Sequence, residues 1–125
     1  MRTSTTALTV SALALAATAL APGLATAAAP PALGPCAQGE LCLWTKADFK
    51  GARHVYELSG TDIESCTALP PGTTAASVAN RTGRPVTTYQ SGECAETGEF
   101  QTYPGTGTWE PESPYRVRAF KIWEN

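Results

Sequence analysis

The run Leu41-Cys42-Leu43-Trp44-Thr45, followed closely by Arg53-His54-Val55-Tyr56-Glu57-Leu58, decides the fold class of this chain. Both runs are short and rich in aliphatic, β-branched and aromatic residues, and the second alternates with the period of two that a strand with one buried face requires. Similar runs recur further along. Ala75 to Ala79 lies between Pro70-Pro71-Gly72 and Arg81-Thr82-Gly83, Pro85 to Tyr89 begins the second half, Phe100 to Tyr103 ends at Pro104-Gly105, and Val117 to Trp123 closes the chain. No segment carries helical periodicity of useful length. Short strands at near-regular spacing with turn residues between them predict an all-β sandwich or barrel.

Upstream, Met1-Arg2 supplies one positive charge, Ala7 to Leu20 is uncharged and apolar, and Pro22-Gly23 precedes the small-residue stretch Ala25-Thr26-Ala27-Ala28-Ala29. That order is the pattern of a secretory leader, and the apolar run is shorter than the about 20 residues of a membrane span. The predicted organisation is a leader at 1–27, a flexible, Pro-rich tail at 28–35 and one domain at 36–125. Removal of the leader leaves 125 − 27 = 98 residues, enough for a single core, with eight basic against eleven acidic side chains. A mildly acidic surface without basic clusters argues against nucleic acid or anionic membranes as partners.

All four cysteines, Cys36, Cys42, Cys66 and Cys94, lie in the exported part, and an even number in a short secreted chain predicts two disulfides. Three connectivities are open. The five-residue spacing with Gly39 inside makes a local Cys36–Cys42 loop easy to close, which would leave Cys66 and Cys94 for a long-range bridge. A zinc site would need these cysteines and His54, the only histidine, but no C-x-x-C pair is present and no metal or other cofactor is expected.

The chain also repeats. At a shift of 45, Trp44 falls on Tyr89, Val55 on Phe100, Leu58 on Tyr103 and Gly60 on Gly105; at a shift of 44, Ala75-Ala76-Ser77-Val78 falls on Ala119-Phe120-Lys121-Ile122. Two similar antiparallel motifs around one core are the expectation.

Trp44-x4-Phe49-x-Gly51 resembles the aromatic hairpin signature of βγ-crystallin Greek keys, in which the glycine adopts a backbone conformation that a Cβ resists. The wider stretches Cys36 to Leu58 and Ala75 to Val86 resemble the secreted actinobacterial peptidase-inhibitor family of the streptomycete metalloproteinase-inhibitor type, which has a βγ-crystallin-like fold. The resemblance covers nearly all of the exported chain and is looser in the second half, where Tyr89-x4-Cys94 has a cysteine at the aromatic position and the glycine slips to Gly98. It implies two Greek-key motifs in a disulfide-stapled sandwich, no enzymatic activity, a monomer, and an extracellular peptidase, in particular a metallopeptidase, as partner. The family's short disulfide-closed inhibitory loop is not reproduced, since only Cys94 lies in that region. Nor do the stretches corresponding to calcium-binding crystallin motifs, Gly72 to Ser77 and Arg116 to Lys121, supply an acidic pair; the second presents three cations.

The sequence contains no G-x-S-x-G elbow, P-loop or dinucleotide-binding glycine pattern. His54 is expected on a solvent-facing strand position without a partner, and Asn80-Arg81-Thr82, a glycosylation tripeptide, is expected as a turn. Trp44, Tyr56, Phe100, Tyr103, Phe120 and Trp123 are expected in the core, and Trp109 in a turn-rich segment, packed rather than exposed. The candidate inhibitory loop is 90–98, centred on Gly92, Glu93, Cys94, Ala95 and Glu96, and pinned at Cys94 if it pairs with Cys66. Glu93, Glu96 and Glu99 converge on nothing at a spacing of three and read as a solvated face. The alternative function is a non-inhibitory crystallin-like extracellular module for stress protection, envelope binding or toxicity to competing cells.

Overall fold

The computed structural model describes residues 33–125; the predicted leader and residues 28–32 of the predicted tail lie outside the described residues. The described strands are β1 (Glu40–Lys46), β2 (Lys50–Glu57), β3 (Thr67–Ala68), β4 (Ser77–Asn80), β5 (Val86–Tyr89), β6 (Phe100–Tyr103), β7 (Thr108–Glu110) and β8 (Ala119–Ile122). They form two four-stranded antiparallel sheets with the orders β2-β1-β4-β7 and β3-β8-β5-β6. Each half of the chain contributes three strands to its own sheet and lends its third strand to the other: β3 pairs with β8, and β7 pairs with β4. This exchange makes two Greek keys into one body, and the fold is the expected all-β sandwich.

The alternation along β1 sets the layers. Leu41 and Leu43 face inward, where they join Leu69, Val78, Val86, Val117, Phe120 and Ile122 in a core drawn from both sheets. Cys42 and Trp44 point to the outer face, which is also apolar: Cys36, Phe49 and Ala79 cover it, with Val55 and Trp109 packed alongside. The second sheet has a smaller outer cluster of Tyr89, Cys94 and Ala119. The disulfides Cys36–Cys42 and Cys66–Cys94 each seal one of these outer clusters, with Cα–Cα distances of 6.0 and 5.9 Å. In so small a domain this extends the apolar burial beyond the single central core.

Several expectations change in detail. Gly34 and Pro35 are held rather than loose: a Cβ on Gly34 would come within 2.8 Å of Phe49 Cβ, and the Arg53 guanidinium donates to the Pro35 carbonyl at 2.8 Å. Phe100 is 46 % exposed on the outer face of β6 and is not core, while Trp123 is half-buried. Trp109 lies on a strand, half-buried, with its ring 5.5 Å from that of Phe49. Asn80 ends β4 fully buried instead of forming a turn. His54 is half-buried opposite Leu43 rather than solvent-facing.

The repeat is real, but its register differs from the expected one. Trp44 stands opposite Arg53, and Tyr89 opposite Phe100, so the first strands correspond at 89 − 44 = 45 and the second strands at 100 − 53 = 47. Ser77 faces Trp44 as Ala119 faces Tyr89, which gives 119 − 77 = 42 for the fourth strands. The partners of Ser77 and Tyr56 are therefore Ala119 and Tyr103, and the stretch matching Gly72 to Ser77 is Pro114 to Ala119, with two cations and no carboxylate.

Candidate functional site

The two β-hairpins occupy equivalent places and are closed by different chemistry. In the first, Asp48 and Phe49 take positive φ angles of 59° and 60°, and Gly51 one of 83°. Phe49 folds back so that its ring meets Trp44 edge-on at 5.1 Å. The buried Ser77 hydroxyl donates to the Lys46 carbonyl at 2.6 Å and accepts from the Phe49 N–H at 3.0 Å, which ties this otherwise costly turn down.

The second hairpin has no such hydroxyl, because Ala119 stands where Ser77 does. Its connection, residues 90–99, contains the predicted loop. The ladder runs one pair past β5 and β6, with the Gln90 N–H donating to the Glu99 carbonyl at 2.9 Å and the Glu99 N–H reaching Gln90 Oε1 at 3.3 Å. Arg118 Nε donates to the Gln90 carbonyl at 3.0 Å. A tight turn follows: the Cys94 N–H donates to the Ser91 carbonyl at 3.3 Å, and the Glu93 N–H to Ser91 Oγ at 3.0 Å. Cys94 then takes φ 57°, directing its side chain inward to Tyr89 and Ala119 and into the bridge to Cys66.

The loop is thus anchored at its root by the ladder and Arg118, and at its middle by the disulfide. Of the five central residues, Cys94 is buried, Gly92 and Ala95 are half-buried, and Glu93 and Glu96 are exposed. Beside the loop lies an open concavity of about 590 Å³ with Arg118 on one wall and Glu93 on another. Glu93, Glu96 and Glu99 are all exposed, in keeping with a solvated face. Sequence reasoning located the loop and Cys94 but missed Arg118. Its signal is the alternation of exposed Arg116 and Arg118 about fully buried Val117, which directs both arginines outward.

Nothing in this arrangement places a nucleophile beside a base. The loop's one thiol-bearing residue is in a disulfide and does not act as a nucleophile. The cluster Cys36, Glu40 and Cys42 brings three potential metal-ligating groups together, but both sulfurs are committed to each other, which leaves a single carboxylate. The chemistry on offer is the presentation of a fixed main-chain shape.

The model of peptidase inhibitor family I36 matches residues 29–102. The chain belongs to that family. The match includes the first hairpin, the whole of loop 90–99 and the second hairpin as far as Thr102. Among solved structures, the fold is similar to a βγ-crystallin domain of Abundant Perithecial Protein from Neurospora crassa, in its Ca²⁺-bound form, with a TM-score of 0.55 and 17 % identity over 71 % of this chain and 93 % of that one. No curated protein matches the chain. The family supports an inhibitory role with a peptidase partner rather than an enzymatic one, and the structural neighbour supports the two-motif frame. Among the described residues, no helix is long and apolar enough to cross a membrane.

Proposed function

We propose that this I36-family chain is a secreted, monomeric inhibitor of an extracellular metallopeptidase and acts through loop 90–98. The observation that carries the reading is the double anchoring of the loop, by the Cys66–Cys94 bridge and by Arg118 on the Gln90 carbonyl. A peptidase holds an extended segment in its cleft, and a loop already fixed loses little conformational entropy on binding. The same anchors keep a cut loop in place. A break before Cys94 leaves one new end on β5 and the other on the disulfide; a break after it leaves the ends on the disulfide and on β6. The exposed Glu93, Glu96 and Glu99 would favour a cleft with a basic rim. Export rests on the leader pattern and on two disulfides formed in an oxidising compartment. Preference for a metallopeptidase rests on resemblance to the streptomycete type of inhibitor.

Stoichiometric titration of thermolysin-like, subtilisin-like and trypsin-like enzymes tests this reading, with the first inhibited at lowest concentration. A non-reducing peptide map after incubation is expected to show any clip between residues 91 and 98. No inhibition of any class at micromolar protein overturns it.

The crystallin-type neighbour favours a second reading, a non-inhibitory extracellular module, which growth-inhibition assays and cell-wall pull-downs would separate from the first. That neighbour holds Ca²⁺, but calcium is not carried over to this chain. The two equivalent stretches, 72–77 and 114–119, offer no carboxylate, and the second carries Arg116 and Arg118.

A further inference from the structure

Three of the four described sheet edges are guarded and one is not. The edge strand β2 carries Lys50, Arg53 and Glu57, β3 is only two residues long, and β7 is three residues long and followed by Pro111. Charge, brevity and proline are the ordinary means by which an edge is kept from pairing with another chain. Edge strand β6, Phe100-Gln101-Thr102-Tyr103, has no charged residue, and its first three residues are exposed.

The register shows which of its main-chain groups are free. The bond from the Gln90 N–H to the Glu99 carbonyl makes 90/99 a hydrogen-bonded pair. Such pairs alternate along an antiparallel ladder, so the next are 88/101 and 86/103. The N–H and C=O groups of Phe100 and Thr102 therefore point away from β5 into solvent. The strand is also held firm. The Thr102 and Thr87 hydroxyls share a hydrogen bond of 2.6 Å across the sheet, and the Phe100 ring lies against that of Tyr89 with centroids 6.0 Å apart. Phe100 is nonetheless 46 % exposed, the most exposed aromatic in the described domain.

We propose that the peptidase is engaged by strand addition on β6. An extended segment lining the enzyme's cleft pairs with the main chain of Phe100 and Thr102, and the Phe100 ring occupies an apolar pocket beside it. The free groups point to the occupant, since a row of alternating donors and acceptors on an open edge is complementary to an extended main chain. The position selects the peptidase: β6 continues directly from loop 90–98, so a chain lying along the loop reaches this edge without a break. The inference rests on the inhibitor reading and makes the loop and β6 one continuous interface.

The test uses the peptidase that the unaltered protein titrates most tightly. Phe100→Ala is expected to raise the inhibition constant by roughly ten- to a hundredfold, as for an aromatic anchor at an interface. Thr102→Pro removes an outward N–H without touching the ladder and is expected to do the same, whereas Ile63→Ala, an exposed apolar side chain elsewhere, stays within about threefold. Circular dichroism checks that each variant is folded. Independently of any variant, amide hydrogen exchange at Phe100 and Thr102 is expected to be fast in the free protein and strongly slowed in the complex. Unchanged exchange at these two amides, with protection gained only at 91–98, overturns strand addition and leaves the loop reading standing. Inhibition by Phe100→Ala and Thr102→Pro equal to that of the unaltered protein does likewise. A free protein already dimeric, with both amides protected, assigns the edge to a second copy instead. An unaltered protein that inhibits none of the three classes overturns both readings.

Discussion

Ser77 and Ala119 hold the same place in the two halves of the molecule, one opposite Trp44 and the other opposite Tyr89, and only the first can close its hairpin with a hydroxyl. The first hairpin is in consequence a folded, hydrogen-bonded corner. The second is a longer loop that needs a covalent staple. The division separates a hairpin closed by packing and hydrogen bonds from one closed by a disulfide.

Ser77→Ala tests that division. It leaves the Phe49 N–H and the Lys46 carbonyl without their buried partner, a loss of about 1–3 kcal/mol. The melting temperature is expected to fall, while the inhibition constant stays within about twofold, because loop 90–98 is held by other groups.

The two disulfides differ in reach and in exposure. Cys66–Cys94 spans 28 positions and Cys36–Cys42 only six, so loop-closure entropy assigns about 3–4 kcal/mol to the first and about 2–3 to the second. Cys66 is exposed, whereas Cys36 and Cys42 are both buried. Limited dithiothreitol followed by alkylation is expected to label Cys66 and Cys94 first. Cys66→Ala/Cys94→Ala is expected to weaken inhibition at least tenfold while the protein remains folded at room temperature, as checked by circular dichroism.

What was legible in the sequence follows from what each signal encodes. Strand β1 is plain because Leu41 and Leu43 alternate with Cys42 and Trp44, and the aromatic hairpin that follows names its own fold. Strands β3 and β7 are too short to show a period, and Trp109 is hidden between Gly107 and Pro111. Phe100 is misplaced because alternation tells the two faces of a strand apart without saying whether anything covers the outer one. The repeat gives the right shift for the first strands only: two extra residues in the second hairpin and shorter later connections displace everything beyond Tyr89. The candidate loop was marked by its cysteine. Arg118, its second anchor, acts through its neighbour's carbonyl and leaves no motif.

Asn80 is the polar hub that joins the halves. Its fully buried amide nitrogen donates to the carbonyls of Arg84 at 2.8 Å and Pro104 at 3.1 Å, and its oxygen accepts from the Thr82 N–H and hydroxyl at 3.1 and 2.7 Å. Asn80→Asp keeps the shape but turns a donor into an acceptor that faces two carbonyl oxygens. A loss of at least about 3 kcal/mol is expected in urea denaturation, with much of the protein unfolded at 37 °C. The same burial predicts that Asn80 stays unglycosylated once folded, although the tripeptide is present; an intact-mass measurement after expression in a glycosylating host checks this.

Tyr103 predicts the alkaline limit of the fold. Its hydroxyl is buried and, among the described residues, makes no hydrogen bond of good geometry; the nearby Thr88 hydroxyl is shared with that of Tyr115 at 3.0 Å. Burial, reinforced by the charges of Glu110 and Tyr115 and only partly offset by Thr88, pushes its pKa up to about 12, from an ordinary value of 10.0. A phenol whose folded pKa lies above its unfolded one holds its proton more tightly when folded, so its contribution is complete below pH 10 and disappears as the pH rises to about 12. The amount at stake is of order 2 kcal/mol. Burial raises Tyr56, Tyr89 and Tyr115 as well, so these share the alkaline slope. Tyr103→Phe removes both the unpartnered hydroxyl and one titrating group. It is expected to raise stability by about 1 kcal/mol at pH 7 and to flatten, without abolishing, the fall between pH 10 and 12. Melting temperatures of the two proteins measured across that range decide the matter: parallel curves would mean that the Tyr103 hydroxyl is solvated in the folded state.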